Sequence, residues 1–277
     1  MIKDEVAIVT GCSFTHNEYE IDGLTKNHSW ADYLGFKKVF NHGRPGIGNR
    51  GMLDRVLYFL LTGSVFKKGS HEIDMSDLSP KVDRIIIALS SWDRFSTPYQ
   101  QFIPSHYWFR EEHYETDIKD EHVSAHKQMM WWHKKYGNPD FSKDFGKSII
   151  INMIDETLKG LLTVAHICEQ KKIPLHVFQM LNPWITTIPE NQRSILNEIC
   201  LKHLVDSQLS YKLHSLKYTD LIGFPFDENI GGREFWMPLE KEYDLKIRIR
   251  PEDAHPNEFG HKLVAEKLLN ELNFNLK

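Results

Sequence analysis

Two short blocks near opposite ends of the 277-residue chain carry the residue types that nucleophilic chemistry needs. The first is Val6-Ala-Ile-Val-Thr-Gly-Cys-Ser-Phe-Thr15, an apolar run that stops at Thr10 and gives way to a glycine and then to Ser13. A buried strand emptying into a tight turn has this form, and it sets Ser13 beyond the carboxyl end of the strand, where ligands collect in open α/β sheets. The second is Pro251-Glu-Asp-Ala-His-Pro-Asn-Glu-Phe-Gly-His261, in which Pro256 fixes a turn at His255 and two carboxylates, Glu252 and Asp253, precede it. Nucleophilic serine catalysis requires a hydroxyl, a base within hydrogen-bond reach, a group that orients the base, and donors for the oxyanion. Ser13 and His255, with Glu252 or Asp253, are candidates for the first three.

The elements between these blocks must bring them together. Ser29-Trp-Ala-Asp32 has the form of a capping box opening a short helix, with Trp30 and Leu34 facing inward. Val39-Phe40 reads as a second strand that empties into Asn41-His-Gly-Arg-Pro-Gly-Ile-Gly-Asn49, a loop whose glycines let backbone amides approach a ligand. Met52, Val56, Phe59 and Leu60 then form one apolar helical stripe, with Asn49 as its cap. The continuous run Arg84-Ile-Ile-Ile-Ala-Leu89 predicts a central strand covered on both faces, ending in Ser90-Ser-Trp-Asp-Arg94.

Farther along, Ile151, Ile154, Leu158, Leu161, Leu162, Ala165 and Cys168 mark an amphipathic helix, followed by a strand over Ile173 to Met180. Asn191 to Val205 predicts a further helix with Ile195, Ile199 and Leu204 inward, and Tyr218 to Ile222 a weak fifth strand. Gly223 to Lys246 reads as an irregular excursion. The last helix starts near Glu258, with Phe259, Leu263, Val264, Leu268 and Leu272 on its buried side. This alternation predicts a three-layer α/β fold around a mostly parallel sheet.

Between Phe95 and Phe145 the periodicity fails, and that stretch holds twelve of the 33 aromatics. It reads as an insertion over about 95–146, either with a small aromatic core of its own or forming a wall over the site.

Bulk composition narrows the function classes. Apolar residues make up 41% and charged residues 26%, as in ordinary soluble proteins. The net charge of −4 offers no basic excess to neutralise a phosphate backbone, so no nucleic-acid partner is expected. Cys12, Cys168 and Cys200 are odd in number and widely spaced, which suggests neither a disulfide framework nor a thiolate metal site. The amino terminus lacks the pattern of a secretory signal, and no apolar run approaches membrane-spanning length. A cytoplasmic protein of one domain over 1–277, with no membrane partner, is the expectation.

Other chemically suggestive residues have plainer readings. His122 and His126 are four apart without the glutamate of a His-Glu-x-x-His site, and the 41–49 loop lacks the Gly-Lys-Ser/Thr ending of a phosphate loop. Cys12 reads as structural, His261 as a packing or helix-surface histidine, and Arg94 as an ion-pair partner.

Taken together, Gly11-Cys-Ser-Phe-Thr15, the glycine loop Asn41 to Asn49, and Asp253-Ala-His-Pro-Asn257 with Gly260-His261 resemble the SGNH (GDSL-type) hydrolase superfamily, above all its divergent members whose first block reads Gly-Cys-Ser-Phe. The resemblance runs from the first strand to the last helix and leaves the insertion outside it. It implies a five-stranded flavodoxin-like sheet, an esterase acting on a small acyl ester of a carbohydrate or similar acceptor, and no cofactor. By that resemblance Ser13 is the nucleophile and His255 the base, with Asp253 favoured over Glu252 as the orienting acid. The implied oxyanion donors are the amides of Ser13 and Gly46 and an asparagine after the third strand, yet no asparagine lies between Asp83 and Phe95. Asn49 or Ser91 could fill that place. Without a replacement the chain would be a catalytically impaired relative that binds a glycan or protein through its insertion.

Overall fold

The computed structural model describes residues 4–16, 19–21, 24–26, 28–45, 47–70, 72–76, 80–90, 95–96, 102–103, 144–181, 198, 201–223, 235–251 and 253–272. Arg84–Leu89 has aliphatic residues at each position after the first, so neither face of it can meet water, and all six residues are buried. Around this strand, β3, lie β1 (Val6–Thr10), β2 (Lys38–Asn41), β4 (Leu175–Gln179) and β5 (Thr219–Leu221). All four pairings are parallel, in the order β2-β1-β3-β4-β5. This is the flavodoxin-like order, whose switch point lies between β1 and β3, and Ser13 leaves β1 there.

Alternation along the strands divides the core into two layers. Ile8, Ile85, Ile87 and Leu89 face one side, against Leu53 and Val56 of α2 (Asn49–Thr62) and Ile154, Leu158 and Leu161 of α3 (Asp144–Lys171). Ala7, Val9, Ile86 and Ala88 face the other, against Trp30, Trp236 of α5 (Trp236–Tyr243) and Val264 and Leu268 of α6 (Glu258–Glu271). Also described are the short helices α1 (Ser13–His16) and α4 (Gln208–His214), the latter beside β5, and a helical stretch over 201–206, within the helix expected over 191–205 and one residue beyond it. The three-layer α/β sandwich is thus present as the sequence implies.

Several boundaries differ from the sequence reading. The 223–246 excursion contains α5, because the amides of Phe235 and Trp236 bond to the carbonyls of Gln179 and Met180 and tether the helix start to the end of β4. The Ser29 capping box is present, but it opens a single 3-10 turn, Trp30–Tyr33. Phe259 is 45% exposed and packs edge-to-face on Tyr243, since the buried face of α6 runs through Gly260, His261, Val264 and Leu268. Helix α3 begins at Asp144, and most of the 95–146 insertion lies outside the described residues, as do Ile195 and Ile199. Among the described residues no helix is long and apolar enough to cross a membrane.

The amino ends of the strands hold a buried chain of polar bonds absent from the sequence reading. The Arg84 guanidinium, 2% exposed, donates to Glu5 at 2.9 Å and also to His176 Nε2. Because a guanidinium can only donate, His176 must carry its proton on Nδ1, which faces Asp220 Oδ2 at 3.1 Å. Burial lowers the His176 pKa against the opposing pull of Asp220, so the ring is held neutral. Removing one partner of such a pair takes away part of the compensation of a charge held in low dielectric. Glu5→Leu is therefore expected to lower the unfolding free energy by about 3 kcal/mol, and adding Arg84→Leu to recover most of that loss. Urea unfolding of the two single variants and the double variant measures the coupling.

Candidate active site

Strand β1 ends under the turn it feeds. A Cβ on Gly11 would lie 2.0 Å from Thr15 Oγ1 and 2.7 Å from Thr15 Cβ, so only glycine fits. The Cys12 carbonyl then accepts from the amides of Thr15 at 2.9 Å and His16 at 3.0 Å, closing the one-turn helix α1 with Ser13 as its first residue. A first-turn amide has no intrahelical carbonyl to bond, which leaves the Ser13 N–H available to a ligand. Cys12 turns the other way into the core and is fully buried, in keeping with its structural reading.

His255 arrives from the far end of the chain. It sits on β7 (Asp253–Pro256), paired antiparallel with β6 (Arg248–Arg250) as a ribbon separate from the main sheet. Asn257 fastens that ribbon to α6. Its side-chain oxygen caps the helix by accepting from Gly260 N at 3.0 Å, while its Nδ2 donates to the carbonyls of Lys246 at 2.8 Å and Arg248 at 2.9 Å.

Across 242 positions of sequence, His255 Nε2 lies 2.7 Å from Ser13 Oγ. Its Nδ1 lies 2.5 Å from Asp253 Oδ1, and the same oxygen accepts the His255 amide at 3.0 Å. Burial opposes ionisation of Asp253, but the His255 hydrogen bonds and the charges of His255 and Arg250 outweigh it and hold the carboxyl below its usual range. An ionised carboxylate only accepts, so the imidazole proton resides on Nδ1 and Nε2 presents its lone pair to the hydroxyl. The Phe14 ring packs on the imidazole, centroids 4.7 Å apart, and edge-on against Trp236 at 5.4 Å. Of the two carboxylates singled out in sequence, Asp253 contacts His255, whereas Glu252 lies outside the described residues.

Gly46 and Ser91 lie outside the described residues too, as do Arg94, His122 and His126. Asn49 is described, and its position corrects the reading of it as a helix cap. Gly48 occupies the cap position, and the Asn49 side chain turns to the end of β3, where its oxygen accepts from Ser90 N at 2.8 Å. That bond fixes which end of the amide is which. The Nδ2 group is buried with no hydrogen-bond partner among the described residues, an arrangement that costs on the order of 1–3 kcal/mol unless an acceptor is supplied.

A set of buried polar residues behind the site escaped the sequence reading. Asn41 bonds to Thr15, Ser29 and Gly43, and Trp30 N donates to His261 Nδ1 at 3.0 Å. The Asn-x-Gly pattern at the end of β2 was the available signal, but apolar periodicity says nothing about which polar groups pair. His261 is fully buried, so its packing reading holds. Burial, followed by the charges of Lys68, His255 and His28, lowers its pKa to about 3. Burial, followed by Arg55, lowers His42 to about 3 as well, and its Nε2 accepts from Phe66 N at 3.1 Å.

Among the described residues no cluster of three or more potential metal ligands occurs. The chain matches no family model, and neither a curated protein nor a solved structure matches it.

His42 and His261 make the fold acid-sensitive. Below the unfolded pKa of about 6.5 the unfolded chain takes up protons that the native state refuses until about pH 3, so stability falls as pH drops through that window. Each histidine contributes up to about 1.4 kcal/mol per pH unit. His261→Asn keeps an acceptor for Trp30 and removes the titration; urea midpoints from pH 7 to pH 4 should fall less steeply for it than for the parent chain.

Proposed function

We propose that the protein is an SGNH-type serine esterase that hydrolyses a small acyl ester, on a carbohydrate or similar acceptor, through an acyl-enzyme. The observation that carries this reading is the continuous hydrogen-bonded series Ser13 Oγ, His255 Nε2, His255 Nδ1 and Asp253 Oδ1. Nucleophile, base and orienting acid stand in the order and at the distances that acyl transfer demands.

Ser13 Oγ attacks the acyl carbon while His255 Nε2 takes its proton, and Asp253 steadies the imidazolium. The oxyanion is held by the amides of Ser13 and Gly46 and by Asn49 Nδ2, whose buried hydrogens lack another acceptor among the described residues. Asn49 thereby does from the start of α2 what the missing asparagine after β3 would do. Collapse of the intermediate expels the alcohol with the proton from His255. Water, deprotonated by the same nitrogen, then releases the acid and restores Ser13. The reaction draws on no cofactor. Two free, buried thiols, Cys12 and Cys168, accord with a reducing, cytoplasmic setting.

Purified protein should turn over p-nitrophenyl acetate and be labelled by a fluorophosphonate, both lost in Ser13→Ala. Turnover and labelling no higher than in that variant would show that the protein is not a serine hydrolase. Asp253→Asn is expected to lower kcat by about 10³- to 10⁴-fold. For Asn49→Ala the expected loss in kcat is about 10²- to 10³-fold, with KM little changed.

A further inference from the structure

We propose that Asn41 is a positioning residue that locks the turn bearing Ser13 to the glycine loop and, through Ser29, to the layer that carries His255. It touches none of the reacting groups and acts through others. Its Nδ2 donates to the Thr15 carbonyl at 2.7 Å and to Ser29 Oγ at 3.1 Å, and its Oδ1 accepts from Gly43 N at 2.8 Å. Helix α1 ends at His16, so the Thr15 carbonyl has no intrahelical donor and depends on a side chain for one.

Gly43 explains how the loop comes close enough. A Cβ there would lie 2.7 Å from Asn41 Oδ1 and 2.8 Å from His16 N, leaving no room for a side chain between loop and turn. Arg44 N closes the same contact by donating to the Gly11 carbonyl at 3.0 Å. From Ser29 the series continues: Trp30 donates from Nε1 to Thr15 Oγ1 at 3.3 Å and from its amide to His261 Nδ1 at 3.0 Å, on the helix that follows His255. Thr15, Ser29, Trp30 and His261 are all fully buried, so water cannot replace these bonds. Asn41 thus holds three polar groups on separate segments of chain, and the relative placement of the Ser13 turn and residues 43–45 depends on it. Misplacing reacting groups by about 1 Å can cost on the order of a hundredfold in rate.

The catalytic consequence rests on the serine-esterase reading, whereas the clamp itself does not, and the test separates them. Asn41→Ala removes all three bonds. Asn41→Asp keeps the shape and the acceptor for Gly43 but cannot donate to Thr15 when ionised. Both variants should lower kcat on p-nitrophenyl acetate by about ten- to a hundredfold with KM shifted less than about threefold, and slow fluorophosphonate labelling in proportion. Amide hydrogen exchange should rise about tenfold or more in residues 12–16 and 42–45, with β3 and α3 as protected as in the parent chain. Unchanged exchange at those residues, a loosening shared equally by β3 and α3, or a raised KM with unchanged kcat would each overturn the proposal. So would failure of both variants to fold, since Asn41 would then be holding the whole fold. A parent chain inert to both reagents overturns the esterase reading instead, and the exchange comparison then decides the clamp alone.

Discussion

A methyl group on Gly11 would stand 2.0 Å from Thr15 Oγ1, so β1 can stop directly beneath its own one-turn helix only because position 11 has no side chain. The hydroxyl of Ser13 depends on that reversal for its place above the β1/β3 switch point. A longer turn would carry it away from the sheet, and a straight continuation of the strand would bury it between the layers. Gly43 repeats the device from the neighbouring loop, and Gly260 does so beneath the histidine ribbon, where a Cβ would come 2.6 Å from the Ile247 carbonyl. Three close backbone approaches, one on each segment that builds the site, set its dimensions before any side chain is considered.

The two ends of the sheet solve the problem of buried polarity differently. At the amino ends, charge is neutralised across the strands by Glu5, Arg84, His176 and Asp220. At the carboxyl ends the interstrand links come from neutral groups: Asn49 reaches Ser90, and Gln179 Nε2 donates to the carbonyls of Ser90 at 2.9 Å and Leu181 at 2.6 Å. Amides bridge the strand ends there without adding charge beside the imidazole. The carboxylate that the imidazole meets directly is Asp253, whose partial exposure lets solvent share its charge.

The five strands and the Ser13 and His255 blocks were legible in the sequence, because each depends on short-range signals, whereas the flavodoxin-like order of the sheet came only from the family resemblance. Unbroken aliphatic runs announce buried strands, and a glycine followed by small polar residues announces the end of one. Helix α5 was illegible because what starts it is a pair of hydrogen bonds to the end of β4, a tertiary cause with no local trace. Phe259 misled for the opposite reason: an apolar residue at the first turn of α6 matches the periodicity, yet the buried arc begins one residue later. Asn49 carried two readings in sequence, cap or donor. Its bond to Ser90 N removes the first, since a side chain committed to the end of β3 cannot also cap its own helix. The bonds that join Asn41 to His261 left only the Asn-x-Gly pattern as a trace, because composition shows which polar residues exist and not which of them meet.

The histidine ribbon stands apart from the sheet, and this has a consequence for how the site is divided along the chain. All five strands of the parallel sheet lie before residue 222 in the chain, while β6, β7 and α6 follow. The first 222 residues therefore hold every strand of the central sheet and the turn that bears Ser13, but not the imidazole that contacts its hydroxyl. The link between the two is the docking of α6 on Trp30, where the Trp30 amide donates to His261 Nδ1 on the helix that follows the ribbon. The order of the chain thus places the imidazole after every strand of the sheet that carries the hydroxyl.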